Sequence, residues 1–188
     1  MPLPQSNEYY TYADYASWDL KEGERYELID GVPYMMAPPS RRHQELVGEI
    51  FGRFRDFLKD KPCKVYVSPF GVRLNAAGDH DDTVVEPDIV VVCDRSKLDD
   101  KGCNGAPDLV IEITSPSSAR HDKLIKFQKY QNAGVREYWI VDPENKMVNV
   151  NILENGRYYG AAYSDTDSIP VQVLDGCQVD MREVFSEI

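Results

Sequence analysis

Asp108-Leu109-Val110-Ile111-Glu112-Ile113-Thr114 is the stretch on which the reading of this chain turns. Leu109, Ile111 and Ile113 fall on one face, and Asp108, Val110, Glu112 and Thr114 on the other, which is the two-residue period of a β-strand. Apolar residues on both faces mark the strand as buried. A carboxylate in its middle is therefore costly unless a partner compensates it. Ser115-Pro116-Ser117-Ser118 stops the strand and supplies capping groups for a helix. That helix runs to about Asn132 and closes at Ala133-Gly134. Arg136-Glu137-Tyr138-Trp139-Ile140-Val141-Asp142 is the next strand, broken at Pro143.

Upstream, Val84 to Cys93 is a strong β run interrupted by Glu86-Pro87-Asp88. Proline cannot donate to a ladder, so the interruption marks a bulge or an exposed side of the strand. Residues 65–67 and 71–74 read as strands, and 75–83 and 94–105 as loops. From His43 to Leu58, Leu46, Val47, Ile50, Phe51, Phe54, Phe57 and Leu58 recur at the spacing of a helix with one buried face. Asp30-Gly31 predicts a hairpin turn, and residues 10–20 a short helix. Downstream, 147–153 and 157–163 read as two strands joined by Glu154-Asn155-Gly156, and 169–188 as a tail packed on the core and ending in a short helix. The pattern predicts an α/β domain built on a central mixed sheet flanked by helices. It is expected to be a single domain over 1–188, with a core at about 40–143, an N-terminal hairpin at 24–36 and a C-terminal β extension at 144–188.

The composition is that of a globular chain: 188 residues, 42% hydrophobic and 28% charged. No apolar run approaches the roughly 20 residues of a membrane-spanning helix. Met1-Pro2-Leu3-Pro4-Gln5 lacks the basic start of a secretory signal, so the expectation is a cytoplasmic protein without membrane contact. Cys63, Cys93, Cys103 and Cys177 form no CxxC pair, which predicts reduced, structural thiols. The net charge of -11 repels phosphate backbones at long range and argues against a simple nucleic-acid-binding module.

Asp88 and Glu112 are the carboxylates placed where strands do not carry them freely. Metal coordination is one compensation, since hard cations take one or two carboxylates plus water and phosphate oxygens. A salt bridge, or an edge strand with Glu112 in water, are others. The helix after Glu112 holds Arg120, His121, Asp122, Lys123, Lys126, Lys129 and Tyr130. Asp122, Lys126 and Tyr130 share a face, a spacing that also suits an ordinary surface ion pair.

The succession Arg25-Tyr26-Glu27-Leu28-Ile29-Asp30-Gly31, His43, Glu86-Pro87-Asp88-Ile89, Glu112-Ile113-Thr114-Ser115-Pro116-Ser117-Ser118, Asp122 with Lys126 and Tyr130, then Ala133 through Pro143, resembles the Uma2 family of restriction endonucleases, formerly a domain of unknown function. The likeness covers about residues 12–160 and is most specific over 107–143. It implies a restriction-endonuclease-like PD-(D/E)XK core and a nuclease. On that pattern Asp88 matches the motif's Asp, Glu112 its acidic partner, and the Ile113 carbonyl a further metal ligand. The lysine expected two residues after the Glu is replaced by Thr114. Lys126 matches a lysine moved to the following helix, with Lys123 as a second candidate. Glu27 resembles an additional acidic residue of the site. His43 resembles a residue at the start of the first long helix, and Asp122 one that orients Lys126 or stabilises its helix. Tyr130 and Trp139 read as core.

The resemblance implies Mg²⁺ or Mn²⁺ at Asp88 and Glu112, DNA as substrate, and a homodimer, since nucleases of this fold often dimerise. A basic rim drawn from Arg41, Arg42, Arg53, Arg55, Arg120, Lys123, Lys126 and Lys129 would reconcile the acidity with DNA, the acidic loops 79–82 and 94–100 facing away. Without such a rim a small or protein-tethered substrate gains ground. The alternatives are a catalytically silent nuclease fold that binds nucleic acid or protein, an oligomerisation protein whose aromatic N-terminus pairs subunits, and a metal phosphatase.

Overall fold

Two six-stranded sheets meet face to face where a single continuous-strand reading would have drawn one. The computed structural model describes residues 8–76, 80–115 and 121–186, of which 121–123 by backbone alone. A short helix α1 (Tyr12–Tyr15) leads to the hairpin of β1 (Tyr26–Ile29) and β2 (Val32–Met35), then the long helix α2 (Arg41–Phe57). Strands β3 (Lys64–Val67), β4 (Gly71–Arg73), β5 (Val84–Val85), β6 (Ile89–Val92), β7 (Leu98–Asp99), β8 (Gly102–Asn104) and β9 (Leu109–Ile113) follow. A π-helical turn (His121–Lys126) runs into α3 (Phe127–Ala133). Then come β10 (Glu137–Asp142), β11 (Met147–Glu154), β12 (Arg157–Ser164), β13 (Ser168–Pro170), β14 (Gln178–Asp180) and α4 (Met181–Ser186).

The first sheet has the order β2-β1-β5-β4-β8-β7, and the second β12-β11-β10-β9-β6-β3. β9 runs parallel to β10 and antiparallel to β6, so the second sheet is mixed. The alternation of β9 sorts its side chains between two cores. Leu109, Ile111 and Ile113 pack with Leu46, Ile50 and Phe54 of α2 and with the C-terminal residues Ile169, Met181 and Phe185. Val110 points the other way, toward Tyr130 of α3 and Ile29, Val72 and Val85 of the first sheet. The layers are thus α2 with the C-terminal segment, then the β9 sheet, then α3 with the first sheet. Trp139 is fully buried in the α2-side core, its ring 5.9 Å from that of Phe54.

The hairpin turn has Asp30 and Gly31 at φ of 51° and 74°, the positive values that a tight two-residue turn needs. Gly134 ends α3 at φ 90°. Helix α2 starts at Arg41, with the Ser40 side chain accepting from the His43 N–H. His43 therefore stands in the first turn, at the start of the helix as expected.

Three expectations are corrected. Residues 94–105, read as a loop, carry β7 and β8, which complete the first sheet; their strands are too short to show a period. The run from Val84 to Cys93 is not one bulged strand, because Glu86-Pro87-Asp88 carries the chain from β5 in the first sheet to β6 in the second. The cysteines are not all thiols: Cys63 and Cys93, thirty residues apart, form a disulfide. The β3–β6 register sets Lys64 opposite Val92, so the two cysteines beyond them face each other, a neighbourhood created by pairing and invisible in spacing. Cys103 and Cys177 are buried free thiols, each pushed up to about 11 by burial. The Ser117 and Ser118 caps lie outside the described residues.

Glu137, fully buried at the start of β10, anchors the C-terminal segment. It accepts from the Trp139 indole N–H (2.7 Å) and the Val173 backbone N–H (3.0 Å). Burial raises its carboxyl above the ordinary glutamate value, against the pull of those donors. Glu137→Ala is expected to cost roughly 2–4 kcal/mol in urea unfolding by stranding buried N–H groups. The raised value also sets a sign. The stability linked to this proton is fully present below the ordinary glutamate value and is lost as pH rises through the folded-state value. The stability advantage of wild type over Glu137→Gln should therefore shrink across that interval, measured by unfolding at successive pH.

Candidate active site

Strands β6 and β9 pair with Ile89 opposite Ile111 and Val90 opposite Val110. One step further, the same register sets Asp88 opposite Glu112, at the point where Pro87 has ended β6. With no ladder partner there, the Ile113 N–H turns to the Asp88 side chain and donates to its Oδ2 (2.7 Å). The same oxygen lies 3.1 Å from His43 Nε2 on the first turn of α2. Asp88 is thus held by a strand and a helix.

Glu112 projects to the opposite side of β9 from Ile111 and Ile113, toward α3 and the first sheet, and is 4% exposed. Its Oε1 accepts from Lys126 Nζ (2.9 Å) and from the Tyr130 hydroxyl (2.7 Å). Lys126, 3% exposed, also reaches Glu27 Oε1 on β1 at 2.8 Å. Glu27 in turn accepts from the Glu86 backbone N–H (2.8 Å). A π-helical turn and one strand from each sheet therefore close on one ammonium group, and the crossing tripeptide 86–88 braces Glu27 through the Glu86 amide. Lys126 and Tyr130 share a helix face as their spacing predicts. Burial, followed by the neighbouring carboxylates of Glu112 and Glu27, pushes the Tyr130 phenol well above its usual value, so it stays a donor.

All of this opens into a cleft of about 680 Å³ between the sheets. Its charged lining is three cations (Arg25, Arg42 and Lys126) and five carboxylates (Glu27, Glu86, Asp88, Glu112 and Glu144), an excess that favours a bound cation. Among the described residues no three His, Cys, Asp or Glu side chains converge as a preassembled cation cage. The Asp88 and Glu112 carboxylates and the Ile113 main chain line the cleft together, and these are the groups that would serve a single ion there. Few protein ligands in an open acidic site suit a hard cation that keeps several waters.

Glu27, His43, Asp88, Glu112 and Lys126 are all brought to this cleft. Thr114, standing where the lysine was expected, bonds the Val141 carbonyl and belongs to the sheet. The side chains of Asp122 and Lys123, and all of Arg120, lie outside the described residues. The basic rim is corrected. Arg53 pairs with Glu49 and Glu183, Arg55 with Asp56, Arg41 with Glu45, and Lys129 with Asp30. Arg53 and Arg55 sit some three turns along α2 from His43, roughly 15 Å or more away. Of the proposed rim, Arg42 and Lys126 alone among the described residues line the cleft. Sequence reasoning missed Arg25, which bonds Glu86 and Ser68, and Glu86 itself. The signal for Glu86 in the sequence is the proline beside it, which interrupts the ladder there.

The fold is that of a restriction-endonuclease-like nuclease, a mixed α/β core with β additions at both ends. It matches, with a TM-score of 0.76 at 18% identity over 94% of this chain and 98% of the other, a crystal structure described as "a putative nuclease belonging to DUF820" from Anabaena variabilis. The chain belongs to the Uma2 family, described as "Putative restriction endonuclease", whose model matches residues 12–182. Two relatives from Synechocystis sp. are the uncharacterized proteins slr1290 and sll1609. The first is 26% identical over 163 residues, covering 86% of this chain and 84% of that one. The second is 27% identical over 135 residues, covering 70% and 74%.

Lys126→Ala should leave two buried carboxylates without their cation and cost about 3–5 kcal/mol. Adding Glu27→Gln should return part of that loss. Urea unfolding of the two single variants and the double should give a coupling above about 1 kcal/mol; additive losses would mean that the two groups do not interact.

Proposed function

We propose that this protein is a divalent-metal-dependent nuclease that hydrolyses phosphodiester bonds, with DNA as its substrate. The observation that carries the reading is the convergence of Asp88, Glu112 and Lys126 in one open, acid-lined cleft. Asp88, Glu112 and the Ile113 carbonyl would hold Mg²⁺ or Mn²⁺. When bound, the ion offsets charge on the scissile phosphate and makes a coordinated water more acidic.

The chain's own groups have separable roles. The Ile113 N–H and His43 fix the Asp88 carboxylate. The Tyr130 hydroxyl and the Lys126 ammonium fix Glu112. Glu27 holds Lys126 at the cleft, where its positive charge stabilises charge building on phosphate oxygens and orients the attacking water. The acid excess disfavours a long duplex until a cation is loaded. That excess, together with the dispersed arginines, favours a second reading in which short or small phosphodiesters are the preferred substrates.

The test is cleavage of supercoiled plasmid, linear duplex, single-stranded DNA, RNA and a small aryl phosphodiester with Mn²⁺ or Mg²⁺. Asp88→Ala, Glu112→Ala and Lys126→Met are each expected to lose at least about a hundredfold in rate, and chelation to abolish cleavage. Calorimetric Mn²⁺ binding should vanish in both carboxylate variants. Cleavage no greater than that of Glu112→Ala on every substrate would refute the nuclease reading. Activity confined to the aryl phosphodiester would select the second.

A further inference from the structure

The second sheet ends on one side at β12, and that edge is bare in its middle. Backbone directions along β12 follow from its neighbours. The Leu153 N–H bonds the carbonyl of Arg136, just before β10, so residues 152, 150 and 148 of β11 address their partners 159, 161 and 163 of β12. The backbones of 158, 160, 162 and 164 therefore face outward. The Tyr158 N–H is taken by the Gln131 side chain and the Ser164 N–H by Asp167. Between these two caps, the outward N–H and C=O groups of Gly160 and Ala162 bond no described residue. Residues 159–162 are exposed, with Tyr159 at 59%. The two caps guard only the ends of the edge, and no proline or charge stands between Tyr158 and Ser164 to keep its middle from pairing.

We infer that this edge pairs with the same edge of a second copy, antiparallel about a two-fold axis at Ala161. The sequence is self-complementary in that register. On one face lie Arg157, Tyr159, Ala161, Tyr163 and, just past the strand, Asp165. The axis sets Arg157 against Asp165 of the second copy, Tyr159 against its Tyr163, and Ala161 against Ala161. Every contact is repeated by symmetry. Opposite charges and aromatic pairs directly across a ladder are stabilising, and the alanines at the axis suit the close spacing of a pair that exchanges no hydrogen bonds. Gly160 and Ala162 of the other copy would exchange both backbone bonds, using the groups the monomer leaves open. Gly160 has its own reason to lack a side chain: a Cβ there would stand 2.9 Å from Asn151 Oδ1. The two sheets would join into one, with each cleft left open because no β12 residue lines it.

Sedimentation velocity of the full chain over a concentration series tests this. The expected result is a reversible monomer–dimer equilibrium. Ala162→Pro removes an outward donor without touching the bonds to β11, and should weaken the dimer at least about tenfold. Arg157→Asp and Asp165→Arg each set like charges opposite one another and should weaken it several-fold, and the double swap should restore it. A chain that stays monomeric at every concentration overturns the inference. So does a dimer that survives Ala162→Pro with unchanged circular dichroism, or a double swap no better than either single. If Ala162→Pro fails to fold, the charge series alone decides.

Discussion

A lysine ammonium held out of water between two carboxylates is the constraint on which this architecture depends. Removing Lys126 and its partners from solvent is expensive, and the cost is offset only if Glu27 and Glu112 are both held at hydrogen-bond distance. Glu27 belongs to one sheet, Glu112 to the other, and Lys126 to the helix that follows Glu112. The ion triad therefore works only while the two sheets stay stacked. The apolar core shared by Val110, Tyr130, Ile29 and Val85 keeps them so. Tyr130 serves both needs, its ring filling that core while its hydroxyl bonds Glu112.

Much of this was readable in the residues. The alternation in 108–114 foretold a strand with two cores, and the structure divides its side chains between them as the period requires. Asp30-Gly31, Gly134 and the apolar stripe of α2 announced their elements through local backbone chemistry. Asp88 and Glu112 stood out because buried strands do not carry carboxylates without a partner. What the residues hid was pairing at a distance. Only a family resemblance singles out Glu27, because nothing near it in the chain reveals Lys126 about a hundred residues on. The Cys63–Cys93 bond and the sheet completed by β7 and β8 are of the same kind, being consequences of register. The arginine rim failed for the complementary reason: a helix 17 residues long carries its far end well away from a site at its start, and acids nearer by claim those arginines.

The acidity of the chain and the acidity of the cleft point the same way. Five carboxylates against three cations make a poor seat for a phosphate and a good one for a metal ion. On the proposed reading, the ion prepares the cleft for its substrate by reversing the local field. Besides Lys126, the cations lining that cleft are Arg25, paired with Glu86, and Arg42, bonded to the Pro143 carbonyl.

Glu86-Pro87-Asp88 does three jobs within three residues. Glu86 offers its amide to Glu27, Pro87 ends the ladder, and Asp88 takes the amide that the ladder no longer uses. Strand β6 begins at once with Ile89 facing α2 and Val90 facing the first sheet. Side chains in a strand change sides with every residue, so lengthening or shortening this tripeptide by one would invert β6 and unseat its aspartate together. Among relatives, drift in length should gather in the polar 75–83 segment just before it, while this crossing keeps its three residues even where its letters change.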